Sequence, residues 1–214
     1  MTTSSQARTE LSPSVIPLWL ASAITVALAI PFAIWLGDYS LPIWASFIVW
    51  AEYFALGAKP SGLRIIVPAY TLGVLAASTI ATSWLVLADA LGETERLVLG
   101  GLAMSVRDAT LFVAFFVGFS VFTYAMRFFP VTLGVGSLPF FNGISMMLAV
   151  FFTGAFARAA PADLHPYLAP SVAGIGALLA GYLGAFLGWF NVAIMDPPRP
   201  RRSSVGAERR SDRP

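Results

Sequence analysis

The stretch Leu36-Gly37-Asp38-Tyr39-Ser40-Leu41-Pro42 returns 97 positions later as Leu133-Gly134-Val135-Gly136-Ser137-Leu138-Pro139. The shared pattern is L-G-x-x-S-L-P, and it continues at the same offset to Phe54 and Phe151, then to Gly57 and Gly154. A later pair, Gly73 and Gly174, falls at an offset of 101 and reads as the same register after a longer loop. Repeats of this length define architecture before any single motif does. Each copy lies in a block of three apolar runs. An odd number of crossings reverses the second block, so the halves are expected to be related by a two-fold axis in the membrane plane.

The composition requires a membrane. Of 214 residues, 57% are hydrophobic and 11% charged, and mean hydropathy is +0.77. Soluble domains carry about 25% charged residues. A soluble enzyme, a disordered chain and a nucleic-acid binder are excluded on these figures. There is no cysteine, and His165 is the single histidine. Disulfides, thiolate metal sites and a histidine-based triad therefore drop out. No catalytic residue, metal site or cofactor is expected.

A bilayer core of about 30 Å takes roughly 20 helical residues. Six runs qualify: Ile16–Leu36, Tyr39–Ala58, Ile65–Ala88, Ala109–Met126, a fifth starting near Pro139 within the uncharged run Phe128–Ala157, and a sixth starting near Pro170 and ending by Met195. The expected fold is an all-α polytopic membrane protein of six transmembrane helices, built as two inverted three-helix repeats. Its parts are a cytoplasmic segment 1–13, a membrane domain 14–195 with halves at about 14–88 and 109–195, and a tail 196–214. The ten residues Leu97–Val106 are too short to cross and read as an interfacial segment or an extension of the fourth helix. An Ala-x-Ala pattern at Ala21–Ala23 resembles a signal-peptidase site, but the apolar run continues to Leu36, so a retained helix is expected.

Lys and Arg set the orientation. With the N-terminus in the cytoplasm, Arg8, Lys59, Arg64, Arg127 and the six tail arginines lie inside, while Arg96, Arg107 and Arg158 lie outside. Both termini are then cytoplasmic. The Pro-, Arg- and Ser-rich tail cannot bury a core and is expected to be disordered, serving as a topology signal.

Ser-Leu-Pro in the repeat reads as a helix start: a hydroxyl cap at Ser40 and Ser137, then Pro42 and Pro139 in the first turn. Glu52 lies ten residues after Pro42, about 15 Å along the helix, which places it near the bilayer midplane. A carboxyl group there costs about 2.5–3.5 kcal/mol, so it should face protein or water. Proton exchange or cation binding is the functional reading; a packing hydrogen bond to a neighbouring helix is the bland one. Asn142, near the start of the fifth helix, reads as a solute-orienting amide or an interhelical bridge. The repeat mates are Ala149 for Glu52 and Ala45 for Asn142, so the site is asymmetric. Trp44, Phe47, Trp50, Tyr53 and Phe141 crowd the same two helices. They suit a pore lining or a cation–π box, or else lipid and core contact. On the sixth helix Gly176, Ala180, Gly184 and Gly188 form a small-residue ladder for close helix packing, within the chain or between copies.

Trp44-Ala45-Ser46-Phe47, Tyr53-Phe54-Ala55 and Gly62-Leu63-Arg64 resemble the W-A-G-F…Y-F-A…G-L-K signature of the YcdZ-like bacterial inner-membrane proteins, a domain of unknown function. Pro139, Gly143, Phe151, Pro170 and Gly174 are similar to the second half of that pattern, so the resemblance covers roughly residues 14–192. It implies a bacterial inner membrane and no activity. An acid at Glu52, where the family usually has a small residue, departs from the pattern. The expected function is a small-solute transporter or channel with its site between the second and fifth helices. A structural or accessory subunit with no transport path is the alternative. The implied partners are the lipid bilayer, a small polar or cationic solute and, if the ladder is a subunit interface, a second copy of the chain.

Overall fold

A computed structural model of the protein describes residues 16–37, 43–92, 96–99, 102–157 and 160–195. The body is all-α. In chain order the described residues form α1 (Leu18–Gly37), α2 (Ile43–Ala55), α3 (Pro60–Leu91), a hairpin of β1 (Arg96–Leu99) and β2 (Leu102–Ser105), α4 (Val106–Ala125), α5 (Ser137–Phe152) and α6 (Ala169–Met195). Four stretches are long and apolar enough to cross a membrane: Pro60–Leu91, Val106–Phe128, Gly134–Phe152 and Pro166–Met195. The N-terminal segment, Ser40, Pro42 and the basic tail lie outside the described residues.

Three expectations need correction here. Leu97–Val106 is not an extension of the fourth helix, to which only Val106 belongs: β1 and β2 pair antiparallel, Arg96 opposite Ser105 and Leu99 opposite Leu102. In sequence Gly100-Gly101 separates them, a dipeptide favoured in two-residue hairpins. The second helix begins at Ile43 and stops at Ala55, 13 residues against the 20 expected. Ser137 is not a cap but the first residue of α5, and its Oγ donates back to the carbonyl of Gly134 at 2.7 Å. The last of these has a local cause. Gly136 lies against the Val131 carbonyl, where a Cβ would overlap it, so the chain winds in short 3-10 turns into the helix without an extended cap residue. The helix start that does follow the cap rules is that of α4. Asp108 N–H donates to Ser105 Oγ at 3.1 Å, and Ser105 N–H donates to Asp108 Oδ2 at 3.3 Å.

The two short helices end alike. Gly57, with φ 89°, and Gly154, with φ 68°, each take the left-handed conformation just past the helix. Gly57 N–H donates to Phe54 O and Ala58 N–H to Tyr53 O, both at 2.9 Å. Gly154 N–H donates to Phe151 O and Ala155 N–H to Val150 O, both at 3.1 Å. Every donor and acceptor in one set lies 97 positions from its counterpart. This is the glycine-stopped helix end that satisfies the last free carbonyls.

α3 is the central helix, burying Ile66, Ala69, Tyr70, Val74, Ala77 and Ala81 against α5 and α6. Small residues allow this. At Gly73 a Cβ would overlap the Phe140 carbonyl, and at Gly143 it would overlap that of Tyr70. Further along, the Trp84 and Phe151 rings meet edge to face at 6.3 Å, so α3 and α5 run parallel. α2 and α6 also run parallel: Gly184 seats on the Ser46 backbone and Gly188 on Tyr53. α3 and α6 run antiparallel, Thr71 meeting Tyr182 at one end and Thr82 meeting Tyr167 at the other. α1 packs on α6 and α4 on α3. Gly174, which falls 101 positions after Gly73, seats on the Ser78 side chain of α3, whereas Gly73 seats on the Phe140 carbonyl of α5.

Candidate functional site

Glu52 and Asn142 are brought together. α2 buries Ala45, Ser46, Val49, Glu52 and Tyr53, residues that recur at helical spacing and share one face. Gly184 and Gly188 draw that face close to α6. Glu52 is 3% exposed. Asn142 reaches it from the second turn of α5, its Nδ2 donating to Glu52 Oε1. The other carboxyl oxygen, Oε2, is buried with no hydrogen-bond partner, and so is the hydroxyl of the next residue, Tyr53.

Around the pair stand phenols rather than cations. Tyr70 of α3 lies within electrostatic reach of Glu52, and its hydroxyl donates to the Ala177 carbonyl of α6 at 3.0 Å. Thr71 Oγ1 and Tyr182 Oη share a hydrogen bond of 2.7 Å beside it. All of α2, α3, α5 and α6 thus converge on one small polar cluster. Glu52 is the tenth of the 13 residues of α2, and Tyr70 the eleventh of the 32 of α3. The cluster therefore lies on the α2–α3-turn side of the middle of α3.

The aromatic residues divide. Tyr53 is buried beside the pair, at 1% exposure. Trp44, Phe47 and Phe141 instead face outward, at 42%, 38% and 39% exposure. Phe47 and Trp50 line a groove of about 300 Å³ with Phe54 and with Leu18 and Ser22 of α1. Of the expected aromatic lining, Tyr53 is buried on the face that carries Glu52, while Trp44, Phe47 and Phe141 are turned outward. The ladder on α6 is consumed inside the chain. Gly184 and Gly188 meet α2, Ala180 is fully buried, and Gly176 has only an ordinary contact of 3.8 Å with Val150.

One polar residue escaped the sequence reading. Asn191 of α6 is fully buried and donates through Nδ2 to Ser22 Oγ at 3.3 Å and Thr25 Oγ1 at 3.2 Å on α1. Like Asn142, it is an amide in an apolar span.

A carboxyl with one oxygen fixed and the other unpartnered can hold a proton or accept a cation. Buried charge must be neutralised by one or the other. Among the described residues no three His, Asp or Glu side chains gather closely enough to hold a metal ion. No family model, curated protein or solved structure matches the chain. The likeness to the YcdZ-like proteins therefore rests on the motifs quoted above.

Proposed function

We propose that this is a small-solute transporter or channel of six membrane-crossing helices, in which Glu52 is the ion-coupling or cation-recognising group of a site between two inverted three-helix halves. The observation that carries the reading is the buried Glu52 carboxyl, bonded through one oxygen to Asn142 of the opposite half and unpartnered at the other. Intramembrane acids are expensive, and function is their default reading.

Packing supports the inverted arrangement. α2 lies parallel on α6 as α5 lies parallel on α3, α1 sits on α6 as α4 sits on α3, and the equivalent helices α3 and α6 are antiparallel. The matching ends at Gly57 and Gly154 support a duplicated unit. Transporters with such halves rock one against the other around a fixed site. On this reading the α2–α3 turn, with Lys59 and Arg64, faces the cytoplasm of a bacterial inner membrane, and the β1–β2 hairpin faces outward. The accessory-subunit alternative loses its docking device, because Gly184 and Gly188 are already occupied by α2.

The test is flux in proteoliposomes. Protein reconstituted with a trapped pH dye is challenged with proton, sodium and potassium gradients and with small amines and amides. The wild type should move at least one of these, and Glu52→Gln should abolish its dependence on the ion gradient. Unchanged coupled flux in Glu52→Gln, or no flux of any probe in the wild type, contradicts the proposal.

A further inference from the structure

A second polar cluster lies at the other end of α3, built from three segments far apart in sequence. Asp89 comes from the last turn of α3, Arg107 from the first turn of α4, and His165-Pro166-Tyr167 from the 3-10 turn that leads into α6. With Leu85 they line a cavity of about 420 Å³, within the range of small-molecule sites. It is the most polar of the cavities described, and the Glu52 site does not use it.

Its organisation centres on Tyr167. The phenol of Tyr167 donates to Asp89 Oδ2, and its backbone N–H donates to His165 Nδ1 at 3.4 Å. The His165 and Tyr167 rings meet edge to face at 4.7 Å. Asp89 is thereby held at one oxygen. The bond to Nδ1 leaves Nε2 as the His165 nitrogen with hydrogen-bonding capacity to spare. A carboxylate held by a phenol, with the imidazole ring of His165 on that phenol, offers what a primary ammonium group requires: a charged acceptor and aromatic rings beside it. Arg107 stands on the opposite wall, its guanidinium 5.2 Å from the Trp84 ring centroid, where Trp84 Nε1 also donates to the Arg107 carbonyl at 3.0 Å.

We propose that the cavity between the C-terminal end of α3, the start of α4 and the turn before α6 is a binding site for the ammonium group of a small solute, received by Asp89 and framed by Tyr167 and His165. The site stands independently of the transport reading, since it shares no residue with the Glu52 cluster.

The experiment is thermal unfolding of the full chain in detergent, titrated with glycine, ethylamine and acetate. Glycine or ethylamine should raise the unfolding temperature saturably, and acetate should not. Asp89→Asn should weaken the effect by roughly tenfold or more, the fold-change of a lost charged hydrogen bond. Tyr167→Phe should weaken it by less, and Glu52→Gln should leave it unchanged. A response to both amines assigns recognition to the ammonium alone. A response to glycine only assigns a zwitterion rather than a bare amine. No response to either amine, an equal response to acetate, or an Asp89→Asn protein that responds like the wild type overturns the proposal.

Discussion

α2 and α5 are built on one plan and differ in what they carry. Both are short, both end on a left-handed glycine with the same pair of backbone hydrogen bonds, and both lie parallel to the long helix of the other half. Their polar residues differ. α2 has Glu52 where α5 has Ala149, and α5 has Asn142 where α2 has Ala45. The two unmatched residues meet each other. Packing is what the two helices share, and the polar residues between them are where they differ. A symmetric pair of carboxyls there would have repelled, whereas an acid against an amide makes a hydrogen bond.

The comparison breaks first at the glycine seats. Gly143→Leu should press on the Tyr70 backbone and Gly184→Leu on that of Ser46. Overpacking costs about 1–3 kcal/mol where side chains yield, and more where backbones must separate. Both variants should therefore lose monodisperse protein on size exclusion, and to a similar degree. Collapse of one with a normal profile for the other would mean that the two helices are not held alike.

Next comes the pair itself. Asn142→Ala leaves Glu52 Oε1 without its donor and should destabilise by about 1–3 kcal/mol, read from thermal unfolding in detergent. In a double-mutant cycle with Glu52→Ala the combined loss should fall well short of the sum. Additive losses would say that the residues do not interact. Asn191→Leu removes two interhelical bonds to α1, at about 0.6 kcal/mol each. It should lower stability modestly and leave Glu52-dependent flux intact. Smallest of all are Gly176→Ala, Phe47→Leu and Phe141→Leu. These positions have open or outward-facing surroundings and should stay within about 0.5 kcal/mol of the wild type.

Much of this plan was written in the sequence because glycine and proline mark backbone geometry directly. The 97-residue offset pointed to Gly57 and Gly154, which prove to be matching helix ends. Glu52 and Asn142 were each legible as a polar residue in an apolar helix, but their contact was not. What was hidden follows from the solvent. In a membrane helix both the lipid face and the protein face are apolar, so spacing cannot say which way Trp44, Phe47 and Phe141 turn. The glycines of α6 announced close approach without naming the partner, and the distance between Ser46 and Gly184 along the chain gave no help. The hairpin is marked in the sequence only by Gly100-Gly101, within ten residues too short to cross a membrane. The Asp89 cavity draws on three loops and helix ends, and no local pattern joins them.

The opposed orientation of the two halves is the premise on which the shared site depends, and a chain without cysteine makes it directly testable. Single cysteines placed at Lys59, in the exposed α2–α3 turn, and at Asp163, in the exposed connection before α6, can be labelled in right-side-out and inverted vesicles with a membrane-impermeant maleimide. Lys59→Cys should label only in inverted vesicles and Asp163→Cys only in right-side-out ones. Labelling of both from the same side would place the two copies in the same orientation and contradict the account.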